Sequence, residues 1–293
     1  GARTANRGPL LYTEFEEFGK HFLRDSQPVG ATEGFTVPGL SPRLASGGRP
    51  GFATNARLAT LALPDLQRFK LIVTRRGPDG DRPPANWRRE WVGRWYEIWR
   101  RGATPAVRAH LAHTGAGCRD VRGLARAAAR DGDELVAAYT PPSGRLDTAS
   151  RPLPPGWGPV AGDPPLVQTV GPGTIQGPVT LTRAGAYDIW LAGSIGRPVR
   201  VLIDGREVAS VSDELAQPSG WNALGQVRLA GGRHRVELVR GGGSLRPGNG
   251  DGPRRLGPLA LVPVQRAGEL VRVPPRRWRE LCGPRLMWTE AVA

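Results

Sequence analysis

Hydrophobic and polar residues alternate with period two over much of the second half of the chain, most regularly between residues 160 and 264. Three runs carry the pattern: 179–191, 198–208 and 226–240. Each is bounded by Gly, Pro or Asp-Gly, the pattern of half-buried strands joined by tight turns. Asp204-Gly205 is the sharpest hairpin signal, because a type I′ turn needs positive φ; Ala230-Gly-Gly232 is a second turn. The stretch therefore reads as an antiparallel, jelly-roll-like β-sandwich of roughly eight strands. Along 187–191, Tyr187, Ile189 and Leu191 share one face, and Asp188 and Trp190 share the other.

The first half mixes patterns. Tyr12–Arg24 reads as a helix, with Thr13 and Glu16 as a capping box and Phe15, Phe18 and Phe22 on one face. A short helix is expected over Pro64–Phe69 and a buried strand over Leu71–Thr74. Trp87–Val92 and Trp95–Arg100 form a hairpin about Gly93, with Trp95 and Trp99 packed in a core. Cys118–Ala129 reads as a helix and Leu135–Tyr139 as a strand. After the sandwich come a short helix over Pro274–Cys282 and a final strand over Leu286–Val292, expected to return to the first domain. The fold class is mainly β. Residues 1–145 form an α+β domain, 146–165 a Pro-rich linker, 166–265 the sandwich and 266–293 the returning tail.

Composition adds less. The chain has 293 residues, a length that suits two domains. Its 41 Gly and 29 Pro fit a loop-rich β protein. The net charge is +15, and Lys occurs only at Lys20 and Lys70, so 39 of the 41 basic residues are Arg. That balance suits either attraction to polyanions or a solvated surface with a codon bias. The Arg residues are scattered and no nucleic-acid-binding motif is present, so a nucleic-acid partner is not expected. The chain begins with Gly1 and reads as a fragment or processed product. No apolar run approaches the ~18–20 residues of a membrane span. Cys118 and Cys282 are the two cysteines. In a reducing cytosol they would be buried thiols; in an oxidising compartment they would form one long-range disulfide.

Several stretches carry a family resemblance. They are Leu71-Ile-Val-Thr-Arg-Arg76, Arg82-Pro-Pro-Ala-Asn86, with turn serines replaced by Gly77-Pro-Asp79 between them, and Trp95-Tyr-Glu-Ile-Trp-Arg-Arg101. Phe15-Glu-Glu-Phe18, Phe22-Leu-Arg-Asp25, Gly193–Pro198, Leu281-Cys-Gly283 and Trp288-Thr-Glu290 fit the same pattern. Together they resemble the extracytoplasmic part of large actinobacterial polytopic membrane proteins, the C-type glycosyltransferases of the cell envelope. No residue matches that family's catalytic acid. The resemblance implies a non-catalytic C-terminal region on the extracytoplasmic face of the membrane. Its partners would be an envelope glycan or glycolipid and the protein's own transmembrane region, which lies outside this sequence. It also implies a sandwich similar to carbohydrate-binding modules of the jelly-roll type, and it favours the Cys118–Cys282 disulfide.

Sugar recognition uses flat aromatic rings with a few polar groups to fix orientation. The candidates are Trp221 in a Ser-Gly-Trp-Asn loop, Trp190, and the polar groups of Asp188, Asn222, Arg197 and Asp213. Trp190 and Trp221 serve equally as core or interface residues, in which case the sandwich only packs on a partner. A secreted carbohydrate-active enzyme is a third reading, and would need two carboxylates facing one cleft. Asp213-Glu214 and Asp131/Asp133 are read as solvated, and His234 as exposed. His110, His113 and Cys118 fit no zinc spacing, and Asn249-Gly-Asp-Gly252 lacks the alternating acids of a calcium loop. No metal, cofactor or catalytic residue is therefore expected.

Overall fold

The computed structural model describes residues 8–13, 23–33, 37–52, 56–113, 116–140, 142–161, 164–212, 220–241, 253–264, 270–283 and 285–293. The chain divides into two compact units. Unit 1 comprises Gly1–Thr140 with Arg266–Ala293, and unit 2 comprises Pro141–Gln265. The protein is mainly β, as its alternating patterns dictate. Among the described residues no helix is long and apolar enough to cross a membrane.

Unit 1 holds two sheets. The first is built from β1 (Leu10–Tyr12), β2 (Pro28–Gly30), β3 (Leu71–Arg75), β4 (Trp87–Val92) and β5 (Tyr96–Arg101), in the order β2-β1-β3-β5-β4. β1 runs parallel to β2 and β3; β5 is antiparallel to β3 and β4. Alternation along β5 sends Trp99 into a core with Leu11, Ile72 and Trp87, and Ile98 into another with Leu10, Tyr12 and Leu71. Tyr12 thus closes a strand and does not open a helix. Its pairing with β3 is non-local, and local capping signals do not report it. Residues 14–22, the body of the expected helix, lie outside the described residues.

The second sheet contains β6 (Val107–Ala112), β7 (Glu134–Tyr139), β18 (Leu270–Val273) and β19 (Leu286–Val292), ordered β18-β7-β19-β6. A short helix α1 (Leu63–Leu66) precedes β3, and α2 (Cys118–Asp131) lies against the second sheet. In α2, Val121, Ala125 and Ala128 recur at helical spacing and bury against Leu135, Ala137 and Ala291. Gly132 ends it with φ 74°, a left-handed cap that glycine adopts without Cβ strain. Cys118 at the start of α2 is disulfide-bonded to Cys282, which follows a 3-10 helix over Pro275–Leu281.

Unit 2 is a two-sheet sandwich. One sheet contains β8 (Gly144–Leu146), β9 (Gly158–Val160), β10 (Leu166–Thr169), β12 (Gly185–Ser194), β15 (Trp221–Leu229) and β17 (Arg254–Pro263). Its order is β15-β12-β17-β10-β9, with β8 also paired to β17. The other contains β11 (Gly173–Leu181), β13 (Val199–Ile203), β14 (Arg206–Val211) and β16 (Gly232–Arg240), ordered β11-β16-β13-β14. Inward residues of both sheets form one core, including Ile175, Val179, Ile189, Leu191, Val201, Val236, Leu238 and Leu261. Truncating a fully buried member such as Leu191 to Ala would cost about 2–5 kcal/mol. The Pro-rich stretch belongs to this unit as well: Leu146 and Trp157 enter the core, and Trp157 Nε1 donates to Val170 O at 2.8 Å.

Turn chemistry matches the strand ends. Asp204 and Gly205 have φ 52° and 81°, as a type I′ hairpin needs. At Gly193 the register of β12 against β17 slips. Its φ is 117°, and a Cβ there would sit 2.1 Å from Arg255 O, so the bulge requires glycine.

Candidate functional site

The outer face of the six-stranded sheet, opposite the sandwich core, brings together part of the expected site. Period-two alternation along β12 puts Trp190 outside while Ile189 and Leu191 point in. Trp190 stands between Ala223 of β15 and Ala260 of β17, its cross-strand neighbours. Two small residues leave room for an indole to lie across the sheet. Trp190, Ala260 and Val262 form a compact apolar patch, against which Trp221 and Ala223 pack. Trp190 is 4% exposed and Trp221 half-buried. Trp221 opens β15, paired with Ala192.

Polar groups frame the aromatic pair. Arg145 of β8, cross-strand from Ala260, is exposed and holds its guanidinium 5.7 Å from the Trp221 ring centroid. That distance is a cation–π contact. Asp188 Oδ1 accepts a 2.9 Å hydrogen bond from Gln226 Nε2 on the neighbouring strand. Trp221, Trp190 and Asp188 thus share one face. Arg145 and Gln226 are members the sequence reading missed; cross-strand register, not local pattern, brings them there.

The remaining candidates lie elsewhere. Asn222 points into the sandwich, fully buried, and its Nδ2 donates to Leu191 O at 3.2 Å and Gly193 O at 3.0 Å. It clamps the β12 bulge and presents nothing to a ligand on the outer face. Its inward direction follows from the parity that sends Trp221 outward. Arg197 is 3% exposed, in the turn between β12 and β13. It belongs to a basic cluster with Arg240 and Arg254. Arg240 Nη1 donates to Gly171 O, while its Nη2 is buried without a hydrogen-bond partner among the described residues. Burial foremost, then Arg197 and Arg254, push the Arg240 guanidinium down to about 10. Asp213 lies outside the described residues, as does Glu214.

Other acids and histidines that the sequence left solvated prove buried. Asp133 is 5% exposed and 3.3 Å from Arg108. His234, read as exposed between Arg233 and Arg235, is 7% exposed because it shares the inward parity of Val236 and Leu238. Its Nδ1 lies 2.7 Å from Asp204 Oδ2, and its Nε2 lies 2.9 Å from Ala230 O.

In unit 1, Glu290 of β19 is fully buried. Its Oε1 is 2.6 Å from His110 Nδ1, and its Oε2 accepts from Ala85 N at 2.7 Å. His110 Nε2 is 3.1 Å from Ala59 O. With both ring nitrogens occupied, His110 has no free nitrogen for a metal or a substrate proton. Nearby, Asp81 accepts from Leu58 N, and burial raises its carboxyl to about 7. Among the described residues no group of three His, Cys, Asp or Glu is placed to hold a metal ion.

No protein-family model matches this sequence, and no curated protein matches it. Among solved structures the chain is similar to the CBM36-1 domain of a multidomain xylanase from the hindgut metagenome of Trinervitermes trinervoides. That match has 14% identity over 43% of this chain and 100% of that one, with TM-score 0.34. It is also similar to a family 35 carbohydrate binding module from Clostridium thermocellum (14% identity, 42% and 99% covered, TM-score 0.32). A third is the GH26-CBM35 β-(1,4)-mannanase of Podospora anserina (18% identity, 42% and 28% covered, TM-score 0.30), of which the chain spans under a third. At these values the likenesses carry no functional argument.

Proposed function

We propose that the chain binds glycan through the outer face of the six-stranded sheet of unit 2, without catalysing a reaction. The observation that carries this reading is the half-buried Trp221 ring beside Trp190, with Arg145, Asp188 and Gln226 around it. An indole face supplies CH–π stacking for a pyranose or furanose, and the amide, carboxylate and guanidinium groups supply hydrogen bonds that fix its orientation. Asp188 and Trp221 remain the contact residues in this reading; Trp190, buried in the apolar patch, supports the Trp221 ring, and Asn222 acts by holding the bulge beneath them. The sequence resemblance supports a setting at the extracytoplasmic face of a cell-envelope glycosyltransferase-like membrane protein, with a glycan or glycolipid partner. The Cys118–Cys282 disulfide supports an oxidising compartment.

A second reading has its own observation. Trp190 is 4% exposed, the burial expected of a face that packs rather than binds, and in that case the sandwich is an interaction domain. A glycan array probed with the intact chain and with Trp221→Ala separates the two. Glycan binding predicts retained hits lost in the variant, and packing predicts no hits from a folded protein.

A further inference from the structure

The Cys118–Cys282 disulfide of unit 1 borders a cleft of about 360 Å³, lined by Gly117, Cys118, Thr140, Cys282 and Arg285, among others. Cys118 is exposed and Cys282 half-buried. Both partners of the bond therefore face the same open space. Thiol–disulfide exchange requires access of this kind.

The two sulfurs are not equivalent. Cys118 is the first residue of α2, directly after Gly117 as N-cap, and α2 runs for 14 residues. The first-turn amides of a helix have no intrahelical acceptors. A thiolate at such an end is stabilised by those amides and by neighbouring Arg residues. Arg122 lies one turn on, on the face of Cys118, and is exposed. Arg285 is exposed on the cleft wall. Asp120, the acid of that turn, has its Oδ2 taken up by Gly117 N at 2.8 Å. Cys282 instead follows the 3-10 helix Pro275–Leu281 and starts no helix. The thiol of lower pKa leaves faster, so Cys118 is the better leaving group and the Cys282 sulfur the point of attack.

Packing around the bond holds without it. Val121 and Ala125 of α2 share a buried core with Leu281, and β19 is paired with both β6 and β7. Opening the bond in the folded chain releases the tether between α2 and the 3-10 helix.

We propose that Cys118–Cys282 is a thiol-exchange site for a dithiol reductant, with Cys282 the attacked sulfur and Cys118 the leaving thiolate held at the start of α2. The reductant thiolate bonds to Cys282 Sγ as the S–S bond breaks, and the electron pair of that bond goes to Cys118 Sγ. The second thiol of the reductant, deprotonated in turn, displaces Cys282 as a thiolate. Two electrons reduce the protein disulfide, the dithiol departs as its own disulfide, and its two protons end on the cysteines. The site does not rest on the glycan reading of the sandwich face.

The test is reduction of the intact, oxidised chain by dithiothreitol over a range of concentrations in buffer. Alkylation and mass spectrometry follow the free cysteines, and the global unfolding rate is measured alongside. The expected result is a rate that rises in proportion to thiol concentration and passes the unfolding rate. Arg122→Gln/Arg285→Gln, with its thermal midpoint confirming the fold, should slow reduction about threefold or more. Glutathione followed by an alkylating quench should leave the mixed disulfide on Cys282 and the alkyl label on Cys118. A rate that levels off at the unfolding rate would overturn the proposal, because the bond would then be reached only in the unfolded chain. So would a rate indifferent to the arginine variant, or a glutathione adduct carried mainly by Cys118.

Discussion

His234 Nδ1 lies 2.7 Å from Asp204 Oδ2, and Asp204 Oδ1 also accepts the backbone N–H of Arg235 at 2.8 Å. The first residue of the Asp-Gly turn is thus tied to the strand after the Ala230–Gly232 turn. His234 Nε2 faces Ala230 O at 2.9 Å, so both ring nitrogens meet acceptors and the doubly protonated ring satisfies both.

Stability should depend on pH through this pair. The Asp204 hydrogen bond foremost raises His234 above its ordinary 6.5, and the His234 hydrogen bond foremost lowers Asp204 below its ordinary 3.8. The raised histidine contributes fully below pH ~6.5, and its contribution is lost as pH rises through its folded value. The lowered carboxylate contributes above pH ~3.8 and is lost as pH falls through its folded value. Urea unfolding of His234→Gln against the parent should show a larger deficit at pH 5.5 than at pH 8.5. Asp204 is largely exposed, so the pH-dependent part should stay within about 1 kcal/mol. An equal deficit at both pH values would contradict the account.

Glu290 and His110 form an enclosed polar pair in unit 1, with side chains 0% and 2% exposed. Glu290→Ala leaves His110 Nδ1 and Ala85 N without their acceptor. Breaking a buried pair from one side costs about 3–5 kcal/mol. Chemical denaturation should register a loss of that size, and a change under 1 kcal/mol would show that the pair is dispensable.

Arg240 should behave in the opposite sense. Its folded value of about 10 lies below the ordinary guanidinium range, so at any working pH the folded state holds a charge that it disfavours. Arg240→Met keeps the stem and removes the charge. We expect the thermal midpoint to rise by a few degrees, and a clear fall would mean that the guanidinium is compensated.

The disulfide closes a sequence separation of 164 residues. Chain-entropy estimates for loops of that length approach about 5 kcal/mol, and measured effects are commonly ~2–4. Cys118→Ala/Cys282→Ala should lower the unfolding free energy by that order. Thiol titration of denatured, unreduced protein should find no free cysteine, whereas two free thiols would remove the pairing and the compartment argument built on it.

Where side-chain direction follows from alternation, the sequence carries the fold. Trp190 separates from Ile189 and Leu191 as the period-two pattern requires, and the final strand covers Leu286–Val292. The same parity places His234 and Arg240 inward with Val236 and Leu238; residue polarity masked it. Other features depend on partners distant in sequence. Tyr12 is a strand residue because β3 lies beside it, and the partners of the buried Asn222 amide, Leu191 O and Gly193 O, come from β12. Arg145 meets Trp221 only after four strands are aligned. The candidate site was therefore readable as far as its aromatic face and Asp188, whereas Arg145 and Gln226 were not.

The central claim is tested most directly by titrating the intact chain with arabinan, galactan and mannan oligosaccharides while following Trp fluorescence, in the parent and in Trp221→Ala. The account predicts saturable binding of at least one neutral glycan, weakened tenfold or more in the variant. Absence of binding by the folded parent, or binding that survives Trp221→Ala unchanged, would contradict it.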